Sequence, residues 1–412
     1  MEGRKQQKNS SSNGQKANVP KLRFPGFEEP WIAEKLSDFS ERVTRKNTNN
    51  ETSLPLTISS KDGLVDQISY FNKTVASKDM SGYYLLFNGE FAYNKSYSVG
   101  YDFGSIKRLD HYPMGALSTL YICFALKKYN SDFIKAYFDS LKWYKEIHVI
   151  SAEGARNHGL LNVPTDEFFA TKHYLPQDIH EQKEIATFLI ALDRRIKKQQ
   201  TLVKALKKYK RGLLNKVFSN IDGKIYPTVY LSEVADFLQG LTYSPRDVAD
   251  SGYLVLRSSN IQNGMLSFED CVYVNKKVTE SLQVKCDDVI MCVRNGSKNL
   301  VGKTALISND MPMITWGAFM MIIRSKLNDT YVFHYLNSQM FFSQVFKDTG
   351  TATINQITKG ILNECKLPLP PKEIRKKISK VLSSFDVKIQ NAERCLVALL
   401  EERKALLQQL FI

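Results

Sequence analysis

The sequence of 412 residues contains no apolar run approaching the roughly 18 residues that a membrane-spanning helix needs. Six cysteines stand apart at 123, 271, 286, 292, 365 and 395, and none forms a C-x-x-C pair. The six histidines are equally dispersed, without an H-x-x-x-H or a mixed Cys/His cluster, so the spacing of a catalytic metal site is missing. There is no G-x-S-x-G elbow, and no glycine-rich turn between strand and helix for a nucleotide cofactor. The opening "MEGRKQQKNSSSNGQKANVP" lacks the apolar core of a signal peptide and is expected to be a disordered leader. Together these features point to a cytoplasmic protein with reduced thiols, no metal and no membrane partner. Acid is scarce too: 42 Asp and Glu face 57 Lys and Arg, a net charge of +15. That excess suggests a polyanionic partner, nucleic acid first.

One stretch imitates a phosphate-binding loop. "GSKNLVGKT" at 296–304 ends in Gly302, Lys303 and Thr304, but five residues separate its glycines where the motif needs four. The following "ALISNDMPMITW" reads as a strand and a turn, not the helix whose N-terminus would receive the phosphate. In "PTDEFFATK" at 164–172, Asp166 and Glu167 give no spaced acid pair for a nuclease metal. The expectation is a chain without catalysis and without a cofactor of its own.

What is present is a repeat. In the first of two long helices the apolar seam falls at Ile185, Leu189, Leu192, Ile196, Gln199, Val203, Leu206, Lys210, Leu213 and Val217. The spacing alternates four and three, as in a left-handed coiled coil. Adding 193 gives Ile378, Leu382, Phe385, Ile389, Ala392, Leu396, Leu399, Arg403, Leu406 and Leu410, with the register unbroken. Asp193 matches Asp386, and Phe218 matches Phe411. Proline signals, "YLPQD" at 174–178 and "LPLPPKE" at 367–373, precede each helix. About 39 residues at 1.5 Å each make a rod of roughly 58 Å.

The segments between the rods repeat as well. "LSDF" at 36–39 answers "LSEV" at 231–234, and "PLTISSKDG" at 55–63 answers "YLVLRSSNIQNG" at 253–264. "GEFAYNKS" at 89–96 answers "DDVIMCVRNGS" at 287–297, and "GALSTLY" at 115–121 answers "GAFMMII" at 317–323. "GARNHGLL" at 154–161 answers "GTATINQI" at 350–357. The fold expected is α+β: two similar strand-rich domains joined by two long antiparallel coiled-coil helices, a pseudo-two-fold tandem repeat. The boundaries expected are a leader at 1–19, a domain at 20–175, a central helix at 176–218, a second domain at 219–368 and a C-terminal helix at 369–412.

Candidate DNA contacts are loops that interleave basic, amide and aromatic side chains, because cations neutralise phosphates while Arg, Asn and Ser address base edges. In the first half these are Lys61, Tyr93, Asn94, Lys95, Tyr97, Tyr101, Lys107 and Arg108, then Arg156, Asn157 and His158. In the second half they are Arg257, Ser258 and Asn260, then Arg294, Asn295, Ser297 and Lys298, then Thr353, Asn355 and Gln356. The first rod adds eleven Lys and Arg against four Asp and Glu between Asp178 and Phe218, suited to spacer phosphates or simply to solvent.

The layout resembles the specificity subunit of a type I restriction-modification system. The resemblance rests on "KLRFPGFEEPWIAEKLSDF", on "FAYNKSYSVGYDFGSIKRL" and on the two proline-led helices, in the order domain, helix, domain, helix. It implies two target-recognition domains, each reading one half of a split double-stranded DNA sequence. It implies that the helices set the gap and dock two modification (methyltransferase) subunits, which bring S-adenosylmethionine. Restriction (motor-nuclease) subunits would supply ATP and magnesium. A coiled-coil adaptor with protein-binding heads, or an RNA-binding protein that stacks bases on its tyrosines, remains as an alternative.

Overall fold

The computed structural model describes residues 18–151, 161–220, 226–347 and 356–412. Two compact units emerge, one from the residues up to Lys198 with Leu396–Ile412, the other from Gln199–Cys395. The strands of unit 1 are β1 (Ile32–Lys35), β2 (Ser40–Arg42), β3 (Pro55–Ser59), β4 (Gly63–Asp66), β5 (Tyr84–Phe87), β6 (Phe91–Asn94), β7 (Ser105–Arg108), β8 (Met114–Leu117), β9 (Ile122–Leu126) and β10 (Lys172–Leu175). Those of unit 2 are β11 (Thr228–Tyr230), β12 (Ala235–Gln239), β13 (Val248–Ala249), β14 (Tyr253–Leu256), β15 (Ile261–Gln262), β16 (Met265–Leu266), β17 (Tyr273–Val274), β18 (Asp288–Cys292), β19 (Thr304–Leu306), β20 (Ile314–Trp316), β21 (Met320–Ser325) and β22 (Lys366–Pro368).

The two units share the strand order of one sheet and part of that of a second. An antiparallel sheet β2-β9-β6-β7 in unit 1 answers β12-β21-β18-β19 in unit 2. A second sheet, β4-β3-β8-β5, answers β13-β17-β14-β20, and both contain one parallel pair, β3 with β8 and β14 with β20. The pair β1-β10 closes the first domain as β11-β22 closes the second. The middle strand β18 is buried along its whole length, and its alternation sorts the core. Val289 and Met291 face a cluster with Tyr331 and Leu336, while Ile290 and Cys292 face another with Leu256 and Trp316. In unit 1, Phe91 and Tyr93 enter a largely aromatic core with Phe124, Phe138 and Trp143, whereas Ala92 joins Leu86 and Leu117.

The long helices span Ile179–Asn220 and Lys372–Leu410. In unit 2 the Gln199 amide donates to the Ala392 carbonyl at 2.7 Å, and Lys210 pairs with Asp386. In unit 1, Arg403 pairs with Asp193 at 2.5 Å, and Leu192 and Ile196 cluster with Leu399. As residue numbers rise along one helix they fall along the other, so the helices are antiparallel. The basic interruptions of the seam thus meet the matching aspartates, and the two ion pairs exchange under the offset of 193, as a pseudo-two-fold repeat requires. The chain is α+β, with two similar strand-rich domains and this helix pair.

Val203, Leu382 and Ile389 are buried, while Leu206, Leu213, Ile378, Phe385, Leu396 and Leu406 are half-buried. Near the ends the buried positions are the next ones along, Leu214 and Leu407, again 193 apart. There each helix is covered from a second side: Leu214 and Phe218 enter the core of unit 2, and Ile185, Leu189, Leu407 and Phe411 enter that of unit 1. A seam calculated for two helices alone is one position too narrow at such ends. Arg403 is held again by Asp139, which also pairs with Lys107. Burial opposes ionisation of Asp139, but Lys107 and Arg403 outweigh it and keep its pKa below the ordinary carboxylate value.

Each unit buries a neutral histidine. His173 lies between the Tyr137 and Thr171 hydroxyls, both at 2.9 Å, and burial pushes its pKa down to about 3, with Lys145 adding to the effect. His334 is likewise depressed to about 3, by burial and then by Lys210. The unfolded chain binds these protons below about pH 6.5 and the folded chain does not, so stability is full above that pH and falls as pH drops toward 3. Between pH 7.5 and pH 5 each histidine is expected to cost about 2 kcal/mol. Urea unfolding at both pH values checks this, and His173→Gln should remove the contribution from unit 1.

Candidate nucleic-acid interface

The turn after β3 and the loop after β6 meet in unit 1. The Ser60 hydroxyl lies 2.9 Å from that of Ser98 and 3.0 Å from that of Ser105. In unit 2 the turn after β14 meets the loop after β18, where the Asn295 amide donates to the Ser258 hydroxyl at 3.1 Å. The same two loops are therefore tied by a side-chain hydrogen bond at the same place in both units. A returning segment anchors beside each: the Leu161 N–H donates to the Lys95 carbonyl at 3.0 Å, and the Ile357 N–H to the Val293 carbonyl at 2.7 Å. These paired bonds align Lys95 with Val293 and Ser96 with Arg294. The lead-in residues Arg156, Asn157, His158, Thr353 and Asn355 lie outside the described residues. Gln356 is described and bridges to Arg294.

Around this junction in unit 1, Lys61 and Tyr97 are exposed, and Asn94, Lys95 and Tyr101 are half-buried. Asn94 closes its own loop, accepting the Ser96 N–H at 3.0 Å. Ser98 and Tyr101 exchange two backbone hydrogen bonds, a tight turn that carries Tyr97 outward. In unit 2, Arg257, Ser258, Arg294 and Asn295 line one cleft of about 740 Å³ with Tyr243 and Phe319. Ser297 and Lys298 are exposed on the loop beyond. Tyr243 and Phe319 carry no signal in sequence beyond being aromatic near glycines. They reach the cleft because Leu241 donates its N–H to the Trp316 carbonyl at 2.7 Å, an approach that Gly240 permits. A Cβ on Gly240 would fall 2.2 Å from the Gly317 carbonyl oxygen.

Four candidates are corrected. Tyr93 is fully buried, stacked on Phe168 with its hydroxyl donating to the Phe103 carbonyl, so it builds the core and cannot reach DNA. Lys107 is spent on Asp139 at 2.7 Å. Arg108 is held by Asp110 and Asp132 and by the Ser131 hydroxyl. Asn260 is buried and satisfied, accepting from the Arg257 N–H and donating to the Ser267 and Asp270 carbonyls. Tyr93, Lys107 and Arg108 lie on strands β6 and β7, and Asn260 in a single helical turn after β14, where sequence reads as loop.

The loop of unit 1 depends on Gly104, whose φ is +77° and whose added Cβ would fall 2.0 Å from the Asn94 carbonyl oxygen. Gly100 shares the left-handed conformation, at φ +82°, with open space around it. Gly100→Ala is expected to cost about 1 kcal/mol, the strain of that conformation alone. Gly104→Ala must also move backbone and is expected to cost about 2 kcal/mol more. Thermal unfolding of the two variants checks the difference.

The lookalike segment 296–304 is a hairpin connection: β19 begins at Thr304 and pairs antiparallel with β18, so a strand stands where a phosphate-binding helix would. Among the described residues no three His, Cys, Asp or Glu side chains converge as metal ligands. Among them, too, no helix is long and apolar enough to cross a membrane.

The family model described as "Type I restriction modification DNA specificity domain" matches residues 226–399. The EcoKI specificity subunit of Escherichia coli (strain K12) is 28% identical over 168 residues, 38% of this chain and 36% of that protein. The StySPI specificity subunit of Salmonella potsdam is 28% identical over 173 residues, 39% of this chain and 37% of that one. The chain thus matches little more than a third of the length of these curated relatives. A crystal structure of a type I restriction-modification S subunit from M. genitalium superposes with a TM-score of 0.58 over 96% of this chain and 99% of that one, at 16% identity, and so shares the fold. With the duplicated domains, the antiparallel helix pair and these matches in hand, the chain is similar to type I restriction-modification specificity subunits, and its residues 226–399 match their DNA specificity domain.

Proposed function

We propose that this chain directs a type I restriction-modification complex to a two-part sequence in double-stranded DNA, each unit reading one half through the loops after β3 and β6 or after β14 and β18. The observation that carries this reading is the loop junction itself. The same hydrogen-bonded pair of loops recurs in both units, yet its side chains differ: serines beside Tyr97 in one, Arg294 and Asn295 in the other. Equal frames with unequal residues suit two half-sites of different sequence. The helices set the gap and dock two modification subunits, and the exposed Lys and Arg of the first helix lie along spacer phosphates without reading sequence. Methylation belongs to those modification subunits with S-adenosylmethionine. Cleavage belongs to restriction subunits with ATP and magnesium.

Methylation sequencing of DNA from cells that express the chain with its modification partner tests the proposal. A split motif with two different halves is expected. Absence of any motif, or preferential binding of single-stranded RNA or of a protein by the assembled complex, would overturn it. The complex should also bind duplex with a steep loss of affinity as salt rises.

A further inference from the structure

We propose that Arg294 reads a guanine edge in the half-site addressed by unit 2, and that Phe319 is the positioning residue that aims it; this rests on the reading that unit 2 contacts duplex DNA. Arg294 is exposed, and its guanidinium carbon lies 5.3 Å from the centroid of the Phe319 ring. Among the described residues no carboxylate or carbonyl accepts from that guanidinium. The contrast with its neighbour in the cleft is direct: Arg257 is committed to Asp270 at 2.7 Å. A free five-donor fork above an aromatic face is the arrangement that matches the O6 and N7 acceptors of guanine, while the stacked ring restricts the fork before DNA arrives.

The backbone makes the platform rigid. The Phe319 carbonyl accepts the N–H groups of both Val293, at 3.0 Å, and Arg294, at 3.2 Å. From the other side the Ile357 N–H holds the Val293 carbonyl, and Gln356 bridges to Arg294. Phe319 sits in the turn from Gly317 to Met320, closed by the Met320 N–H on the Gly317 carbonyl, and the residue stays 58% exposed. Such an exposed phenylalanine contributes little to the core, so its place under a free arginine calls for another reason. Unit 1 builds the same frame without the same reader. Ser96 stands where Arg294 stands, and strand pairing, which shifts the match of 115–121 with 317–323 by three positions, places Leu120, 70% exposed in the turn from Ser118 to Tyr121, where Phe319 stands. The guanine contact is therefore assigned to unit 2, since among the described residues of unit 1 no arginine stands at this place.

The test uses the full chain in complex with its modification subunits and a duplex carrying the motif that methylation sequencing reveals. Each base pair of the unit 2 half-site is changed in turn, and binding is measured across a salt series. Arg294→Ala should lower discrimination at one G·C pair by about 10- to 100-fold and leave the other half-site as it was. Arg294→Lys should lose most of that discrimination, because an ammonium lacks the fork. Phe319→Ala should weaken the same pair, and Phe319→Tyr should restore it, which a merely structural role would not produce. Both side chains are exposed, so the unfolding midpoints should not move. A uniform loss across all sequences with a shallower salt slope would make Arg294 a phosphate contact and overturn the proposal. An unchanged motif in Arg294→Ala, or a unit 2 half-site without guanine, would overturn it as well. A wild-type complex that leaves no split motif at all would instead overturn the reading on which the proposal rests.

Discussion

Exchanging residues 219–368 for the equivalent domain of another specificity subunit should rewrite one half of the methylated sequence and leave the other half unchanged. The expectation rests on how self-contained each reading frame is. The loop junction of unit 2 is tied by Asn295 to Ser258, by Val293 and Arg294 to Phe319, and by Ile357 to Val293, all within residues 253–357. Its two four-stranded sheets are likewise closed among strands within residues 235–325. On the proposed reading the gap between half-sites should persist, because the exchange leaves the helices untouched. Inserting one heptad into both helices at matching positions keeps the seam in register and adds about 10 Å, the rise of about three base pairs. The methylated motif should then keep both halves and widen its spacer. Methylation sequencing reads both experiments. An exchange that rewrote both halves together would show that the domains do not read independently.

Ile196→Asp is the substitution expected to damage the chain most. Ile196 is buried with Leu192 and Leu399, in a stretch of seam where the only charges, Asp193 and Arg403, already pair with each other. A second carboxylate there has no cation to meet and loses its water, at an expected cost of about 3–5 kcal/mol. Gln200→Asp, on the exposed side of the same helix, should change stability by no more than about 0.5 kcal/mol. Comparison of their urea midpoints separates a buried seam from a pair of helices that merely touch. If both variants unfold alike, Ile196 does not lie in a packed interface. The damage should also reach DNA binding by the assembled complex, since the core of unit 1 is continuous with this helix through Ile185 and Leu189.

The helices were legible in the sequence because their information is local and periodic. A four-three alternation of apolar residues needs no knowledge of the partner, and a second copy 193 residues away supplies the partner. Even the charged interruptions were readable as equivalent positions, Lys210 with Arg403 and Asp193 with Asp386. That they cross-pair, basic residue to aspartate, follows only from the antiparallel arrangement. The order of blocks in the two domains was visible for the same reason: each block was written twice.

The proposed reading surface was legible only in part. Arg257, Ser258, Arg294 and Asn295 were recognisable as polar residues on loops, and the fold brings them into one cleft. Tyr93, Lys107, Arg108 and Asn260 had the same local appearance and are structural; for Tyr93 and Lys107 what decides is a partner far along the chain, whereas Asn260 is satisfied within its own turn and the loop that follows. Asp139 lies 32 residues from Lys107, and Phe168 lies 75 from Tyr93. Phe319 reaches Arg294 across the pairing of β18 with β21, where Cys292 faces Met320. By itself the sequence determined the duplication, the helices and which segments are loops, since periodicity and turn residues act over a few positions. Tertiary structure decided which loops meet and which cation is left free, because those depend on strand register, and a shift of one residue would turn each side chain to the opposite face.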